Sequence, residues 1–408
     1  MTGSGTPTRG ETMLALRRRR MAETIPFLRG GFRPFFLGGA VWAILALTIW
    51  LLSLAGAYEI RSAFDALAWH RHEMLFGFVG AVIAGFLLTA IPNWTGRLPI
   101  AGWPLAGLFA LWAAGRALNL YSAEFGPMLA GLVDTGFYVV LCLLAAREVL
   151  EANNDRNLPV IGIIASFGIA AGLDHLSLVV ALVGPLGWQL GITLVILLIS
   201  LIGGRIIPSF TRNWLVKRGI SKGLPTQADK FDMAGIAVTA FALFSWLTGP
   251  AGWLSAGFLF IASVLQFGRL ARWRGWRTVA DPMVLILHVG FSWVPIGLAL
   301  LALSQLELVV QSAAVHAFTA GAMATMILAV MTRATLGHTG RELRAGLGTS
   351  LVYLFVTTGA VLRVLAPLGH VNYRWGMEVG GTLWLGAFVL FCAVYGPILF
   401  APRLGDKA

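Results

Sequence analysis

Apolar residues in this chain run in long blocks rather than in short alternating stripes, and polar residues collect in the gaps between blocks. A helix that crosses a bilayer needs about 20 mostly apolar residues. Laid along the chain, that length selects twelve blocks: 33–56, 68–92, 101–119, 126–147, 158–183, 185–208, 231–248, 252–270, 281–303, 308–333, 347–366 and 376–401. Each predicts one membrane-spanning helix. The longest gap, 209–230, divides them six and six. The expected fold is all-α: a polytopic integral membrane protein with about twelve transmembrane helices. Residues 1–24 read as a disordered basic segment. Residues 25–402 read as one membrane domain of two six-helix halves joined by loop 209–230, and 403–408 as a short tail. Arg17 to Arg20 imitate the start of a signal peptide. The run behind them is too long, holds Arg29, Arg33 and Pro34, and lacks a small-residue cleavage site, so the first span is expected to stay as an anchor.

Charge orients the blocks. With the N-terminal segment in the cytoplasm, only Arg61, Arg71, Arg116, Arg363 and Arg374, 5 of the 30 Lys and Arg residues, fall on the outer side. That asymmetry is the positive-inside pattern. It predicts a multi-pass membrane protein with both termini cytoplasmic. The formal net charge of +12 is thereby explained without a nucleic-acid partner. Only 12% of residues are charged and 58% are hydrophobic, with a mean hydropathy of +0.80. Soluble domains carry roughly 25% charged residues, so a soluble enzyme, a fibrous protein and a disordered chain are set aside. Cys142 and Cys392 lie in apolar runs with no CxxC or CxxCH spacing, which removes a zinc ribbon and covalent c-type haem. The 49 glycines are scattered through the spans, as in Gly38-Gly39, and read as helix-packing residues rather than a phosphate loop.

Ionisable groups inside membrane helices are costly and mark candidate sites. At 1.5 Å of rise per residue, His72 lies roughly 6 Å below the outer end of the second span, and His316 and His175 about 12 Å below the outer ends of the tenth and fifth. These three share one level. His288 sits about 10 Å above the inner end of the ninth span, too deep to share a metal with them. His70 is at the outer mouth of the second span, His370 in an outer loop, and His338 in a turn-like cytoplasmic loop. His70 and His72 point about 200° apart on a helix, so only one faces a given site. His72, one step deeper, is the expected inward residue.

Imidazole is a common metal ligand and a haem axial ligand. His72 and His316, on different helices, can hold one haem iron from both sides, with Arg116 and Arg363 near its propionates. His175, His70 and His288 are further metal candidates, and copper suits imidazole. Each histidine can equally be a simple interhelical hydrogen-bonding group. Arg116 and Asp134 can equally neutralise each other.

The chain resembles the NnrS family of bacterial twelve-helix membrane proteins. The resemblance is carried by Gly31-Phe32-Arg33-Pro34-Phe35-Phe36, His72-Glu73-Met74-Leu75-Phe76-Gly77-Phe78, Gly85-Phe86-Leu87-Leu88-Thr89-Ala90 and Asn93-Trp94-Thr95-Gly96. It continues in Gly204-Arg205-Ile206-Ile207-Pro208, Leu287-His288-Val289-Gly290 and Met331-Thr332-Arg333-Ala334-Thr335-Leu336-Gly337-His338-Thr339-Gly340. It implies non-covalent b-type haem, copper, a link to nitric oxide and denitrification, protection from nitrosative stress, and a possible redox partner. It adds Glu73, Arg333 and His338 as candidate site residues. A fainter similarity is to the catalytic subunit of haem-copper oxidases, with haem-ligating histidines on helices 2 and 10. The chain lacks histidines on helices 6 and 7, where those enzymes hold copper, so a full binuclear centre is not expected. The rival expectations are a twelve-helix secondary transporter, with Glu73, Asp134, Asp174 and Arg116 along a proton or solute path, and a non-catalytic sensor or metal-delivery protein.

Overall fold

The structure, a computed structural model, describes residues 23–154 and 157–405 together with scattered positions before 23. The segment 1–24 therefore lies largely outside the described residues. Among the described residues every regular element is helical and no strand occurs. Twelve long helices stand where the twelve apolar blocks predict them: α1 Phe32–Leu54, α2 Ala66–Thr95, α3 Trp103–Leu120, α4 Pro127–Glu151, α5 Leu158–Leu176, α6 Leu186–Lys217, α7 Lys230–Thr248, α8 Trp253–Arg272, α9 Pro282–Gln305, α10 Gln311–His338, α11 Leu347–Leu365 and α12 Tyr373–Phe400. All but α3 are long and apolar enough to cross a membrane by themselves. The α3 helix has 18 residues, about 27 Å at the usual rise. Arg116 and Asn119 lower its hydropathy, but both are buried, so their polarity faces protein rather than lipid. The chain is a polytopic membrane protein.

Three helix ends differ from the sequence reading by five residues or more, that of α10 being His338 rather than 333. The fifth span stops at Leu176 and is followed by a separate 3-10 turn, Ala181–Val183. The expected connection 209–230 is helical as far as Lys217, which shortens it to 218–229. Ser209, Arg212 and Asn213 lower hydropathy without breaking a helix, so α6 continues past its apolar stretch. Arg218 then closes the end with its guanidinium 4.2 Å from the Trp214 ring.

Helix ends follow from local chemistry. Asp65 starts α2 by accepting from the Ala68 amide at 2.8 Å, and Asp281 starts α9 by accepting from Met283 at 2.9 Å ahead of Pro282. Asp229 caps α7 and pairs with Arg272, whose guanidinium holds the Asp229 carboxyl below its usual range. Gly96 ends α2 in the left-handed region at φ 68°, as glycine permits.

The helices pack mainly as sequence neighbours: α3 on α4, α4 on α5, α8 on α9, α11 on α12, with α1 bridging α2 and α12. Of all the spans, α2, α9 and α10 are the most enclosed. Outer faces such as Leu132, Val139 and Leu143 of α4, or Phe260, Ile261 and Val264 of α8, remain exposed, as lipid-facing surfaces should. Two of the enclosed helices are interrupted alike. Glu73–Val79 of α2 and Ala317–Met323 of α10 are π-helical segments of seven residues, each beginning directly after a histidine. Such segments are rare and collect at functional sites. Tyr138 donates to the Phe76 carbonyl at 2.5 Å and Trp112 to the Gly77 carbonyl at 3.0 Å, so neighbouring helices satisfy the backbone there.

Candidate metal centre

Four consecutive helices converge on His72. Its Nε2 lies 2.9 Å from Asp134 Oδ2 of α4, and its Nδ1 lies 2.8 Å from Asp174 Oδ2 of α5. His175 brings its Nε2 to 3.1 Å from the same Asp134 oxygen. Ligand atoms of His72, Asp134 and His175 all lie within 4.8 Å of one another, a grouping able to hold a metal ion. Arg116 of α3 donates to Glu73 Oε2 at 2.7 Å and pairs with Asp134 Oδ1. Trp42 of α1 donates to the same Glu73 oxygen at 2.7 Å. His72 and Glu73 have no solvent exposure, and Arg116, Asp134 and Asp174 almost none.

Glycines make the convergence possible. A Cβ on Gly77 would stand 2.6 Å from both the Arg116 guanidinium and the Glu73 carboxylate. The backbone of Asp174 lies directly on Gly187 of α6, and Gly131 of α4 leaves room for the His175 ring.

Hydrogen-bond accounting shows what the cluster lacks. The cluster holds three carboxylates, of which the Arg116 guanidinium contacts Glu73 and Asp134 while Asp174 contacts only His72. Arg71 lies within electrostatic range of Asp174, but its guanidinium sits 4.7 Å from the Trp188 ring. An ionised carboxylate only accepts and a protonated one donates, so each contact between His72 and a carboxylate holds one proton, on nitrogen or on oxygen, or yields it to a metal. His175 Nδ1, Asp174 Oδ1 and Glu73 Oε1 are buried without partners. A divalent cation would balance the carboxylates and take the ligand atoms of His72, Asp134 and His175, which already lie close together. Two imidazole nitrogens and a carboxylate oxygen suit copper, iron, zinc or nickel. The donor set therefore fits a metal ion.

The other expected residues are distributed differently. No hydrogen bond, ion pair or ring contact joins His72 to His316. His72 turns its two nitrogens toward Asp134 of α4 and Asp174 of α5 rather than toward α10, so the residues present do not fit a haem held between His72 and His316. Depth along a helix says nothing about azimuth. It is His70 that lies within electrostatic range of His316 and Arg363. The His70 ring stacks on Trp50 at 4.1 Å, and its Nδ1 is buried without a partner. His316 donates from Nδ1 to the Ser312 carbonyl at 2.6 Å, which leaves Nε2 available. Arg363 faces Met377 Sδ and the Trp50 ring rather than His72. Arg116 and Asp134 do pair, as one of the two sequence alternatives held. His288 bonds Thr211 at 2.8 Å, far from these groups along the chain's helices. Arg333 stacks over Phe210 at 4.0 Å, and His338 is the last residue of α10 rather than a loop residue, beside Phe32.

Two features were passed over in the sequence. Arg269, counted there with the cytoplasmic charges, is buried on α8 and bonds Asp232, Ser200 and Gln266 at 2.7–3.0 Å. Gln266 extends this satisfied network to Thr239 at 2.8 Å. The second is an internal correspondence between α2 and α10. A glycine follows His72 and His316 at the same spacing, Gly77 and Gly321, and a Thr-Gly-Arg triplet begins 23 residues after each histidine. Both triplet glycines, Gly96 and Gly340, are left-handed. Comparison of the two segments in the sequence would have exposed it.

Fold and site together define a multi-pass membrane protein with a buried imidazole–carboxylate centre open to four helices. The model of the NnrS family, described as NnrS protein, matches residues 26–403, nearly the whole chain, and the chain belongs to this family. No curated protein matches it.

Proposed function

We propose that this NnrS-family protein is a metal-holding protein of the bacterial cytoplasmic membrane that acts in the response to nitric oxide, with His72, Asp134 and His175 as its metal ligands. The observation that carries the reading is the buried His–Asp–His group, whose ligand atoms all lie within 4.8 Å of one another. Asp174 orients His72 from behind, as carboxylates commonly do for metal-bound imidazole. Arg116 and Glu73 hold Asp134 in place. Copper is the ion the family resemblance favours. A haem iron would find its ligands elsewhere. His316 is pre-oriented by Ser312, His70 offers an unpartnered nitrogen, and Arg363, within electrostatic range of His70, would meet a propionate. A bound haem would supply a centre for nitric oxide or electrons.

The physiological part is tested by exposing cells to a nitric oxide donor. Cells carrying the wild-type chain should survive better than cells carrying His175→Ala or Asp134→Asn at equal membrane levels. Equal survival would remove the metal centre from the nitric oxide response.

A further inference from the structure

The loop between α1 and α2, residues 55–65, lies over the metal centre at the end of the bundle that the charge pattern assigns to the outer side. Phe64, 4% exposed, is its one buried residue. The Phe64 ring stacks on the His72 imidazole at 5.0 Å and meets the His175 imidazole at 5.3 Å, so it covers both histidines of the centre. His175 itself stands one residue before the end of α5. The other sides are closed by the bundle. The Phe76 ring, one turn deeper on α2, lies 5.0 Å from His72 and packs on Phe167 at 5.1 Å. The backbone of Asp174 rests on Gly187 of α6. An ion leaving through apolar walls and the bilayer beyond them would pay a large desolvation cost. The thinnest cover between the centre and water is the Phe64 ring.

The loop is held down by contacts that water can replace. It is fastened to the short helix Ser122–Phe125 that follows α3. The Ser122 hydroxyl accepts from the Ala63 amide at 2.8 Å and lies 3.1 Å from the Ser62 hydroxyl, which accepts from the Phe64 amide at 3.2 Å. The Ala123 amide donates to the Arg61 carbonyl at 3.1 Å, and the side chains of Arg61 and Glu124 form an exposed pair. Exchanging such bonds for bonds to water costs little. Below this latch lies Asn119, whose main-chain carbonyl accepts from the Ser122 hydroxyl at 3.0 Å. Its side chain, one turn outward of Arg116, is wholly buried, and neither its oxygen nor its nitrogen has a partner. An amide unpaired with the loop down gains hydrogen bonds when water enters, which favours opening.

We propose, resting on the metal reading above, that this loop is a lid with Phe64 as its plug, and that a first-row transition-metal ion enters and leaves the His72–Asp134–His175 centre from the outer aqueous side when the plug lifts. Phe64 offers no ligand atom. Its part is to set how fast the ion exchanges, not how tightly it is held.

The test uses the full chain in phosphatidylcholine nanodiscs, with copper(II) ions as the probe and both uptake and release into EDTA timed by metal analysis. In Phe64→Ala both rates should rise about tenfold or more, the factor by which burial of a phenyl ring favours the closed lid, with an unchanged dissociation constant. Ser122→Ala, which breaks the latch and keeps the plug, should raise both rates as well, with thermal unfolding of both variants checked alongside. A second readout needs no metal. His175→Cys, in a chain with Cys142→Ser and Cys392→Ser, is labelled in intact cells with a membrane-impermeant methanethiosulfonate, and adding Phe64→Ala should speed labelling about tenfold. A wild-type chain that takes up no copper would defeat the metal reading alone, and the labelling rates would then decide the lid. Unchanged exchange rates in both variants, a raised dissociation constant in place of faster exchange, or equal labelling with and without Phe64 would overturn the proposal.

Discussion

Arg116 is the residue on which the centre depends. It is the cation bonded to both Glu73 and Asp134, and all three are removed from solvent. Deleting one partner of a buried ion pair strands the others and typically costs about 3–5 kcal/mol. Arg116→Gln should therefore lower the thermal unfolding temperature of the purified protein markedly, whereas the exposed Arg374→Gln, which only breaks a surface pair with Glu378, should leave it nearly unchanged. Similar losses in the two variants would contradict the placement of Arg116. At this scale the sequence revealed which residues are polar within apolar spans and how deep they lie. It named the Arg116–Asp134 pair as one possibility. It could not show that Glu73 and Asp174 join them, because a depth estimate carries no information about which face of each helix turns inward.

Between His70 and His72 the choice is made by the helix. Two residues along α2 separate one ring that meets Asp134 and Asp174 from another that meets Trp50 and the His316 side. The π-helical segment after His72 sets the turn from which Glu73 reaches Arg116 and Trp42. A rule of about 100° per residue assigns opposite faces correctly but does not say which face holds which partner. If haem is bound, the Soret absorbance of the purified protein should disappear in His316→Ala and His70→Ala and persist in His72→Gln. Persistence in the first two and loss in the third would restore His72 as the axial ligand. The corresponding π segment of α10, with Gly321 beneath Trp293, shows that the same device is built twice.

Over the whole molecule, hydropathy alone located all twelve helices, since a bilayer imposes both a length and a composition on each crossing. Boundaries slipped where a helix leaves the apolar layer and continues, as α6 does to Lys217, and where an apolar run outlasts its helix, as after Leu176 of α5. The charge pattern predicts that Glu59, between α1 and α2, and Ser221, between α6 and α7, lie on opposite sides of the membrane. A single cysteine at Glu59 should react with an impermeant maleimide added outside intact cells. One at Ser221 should react only after permeabilisation. The reverse pattern, or reaction of both from outside, would overturn the orientation.

The central claim is that His72, Asp134 and His175 hold a metal ion. Its most direct test is metal content, measured by mass spectrometry on the protein purified from membranes without added chelator. About one copper or other first-row transition-metal ion per chain is expected at this centre. Asp134→Asn and His175→Ala should each lose that ion while remaining folded, and acidification should release it, since protons compete with a metal for its ligands. A wild-type protein free of metal, or variants with an unchanged metal content, would contradict it.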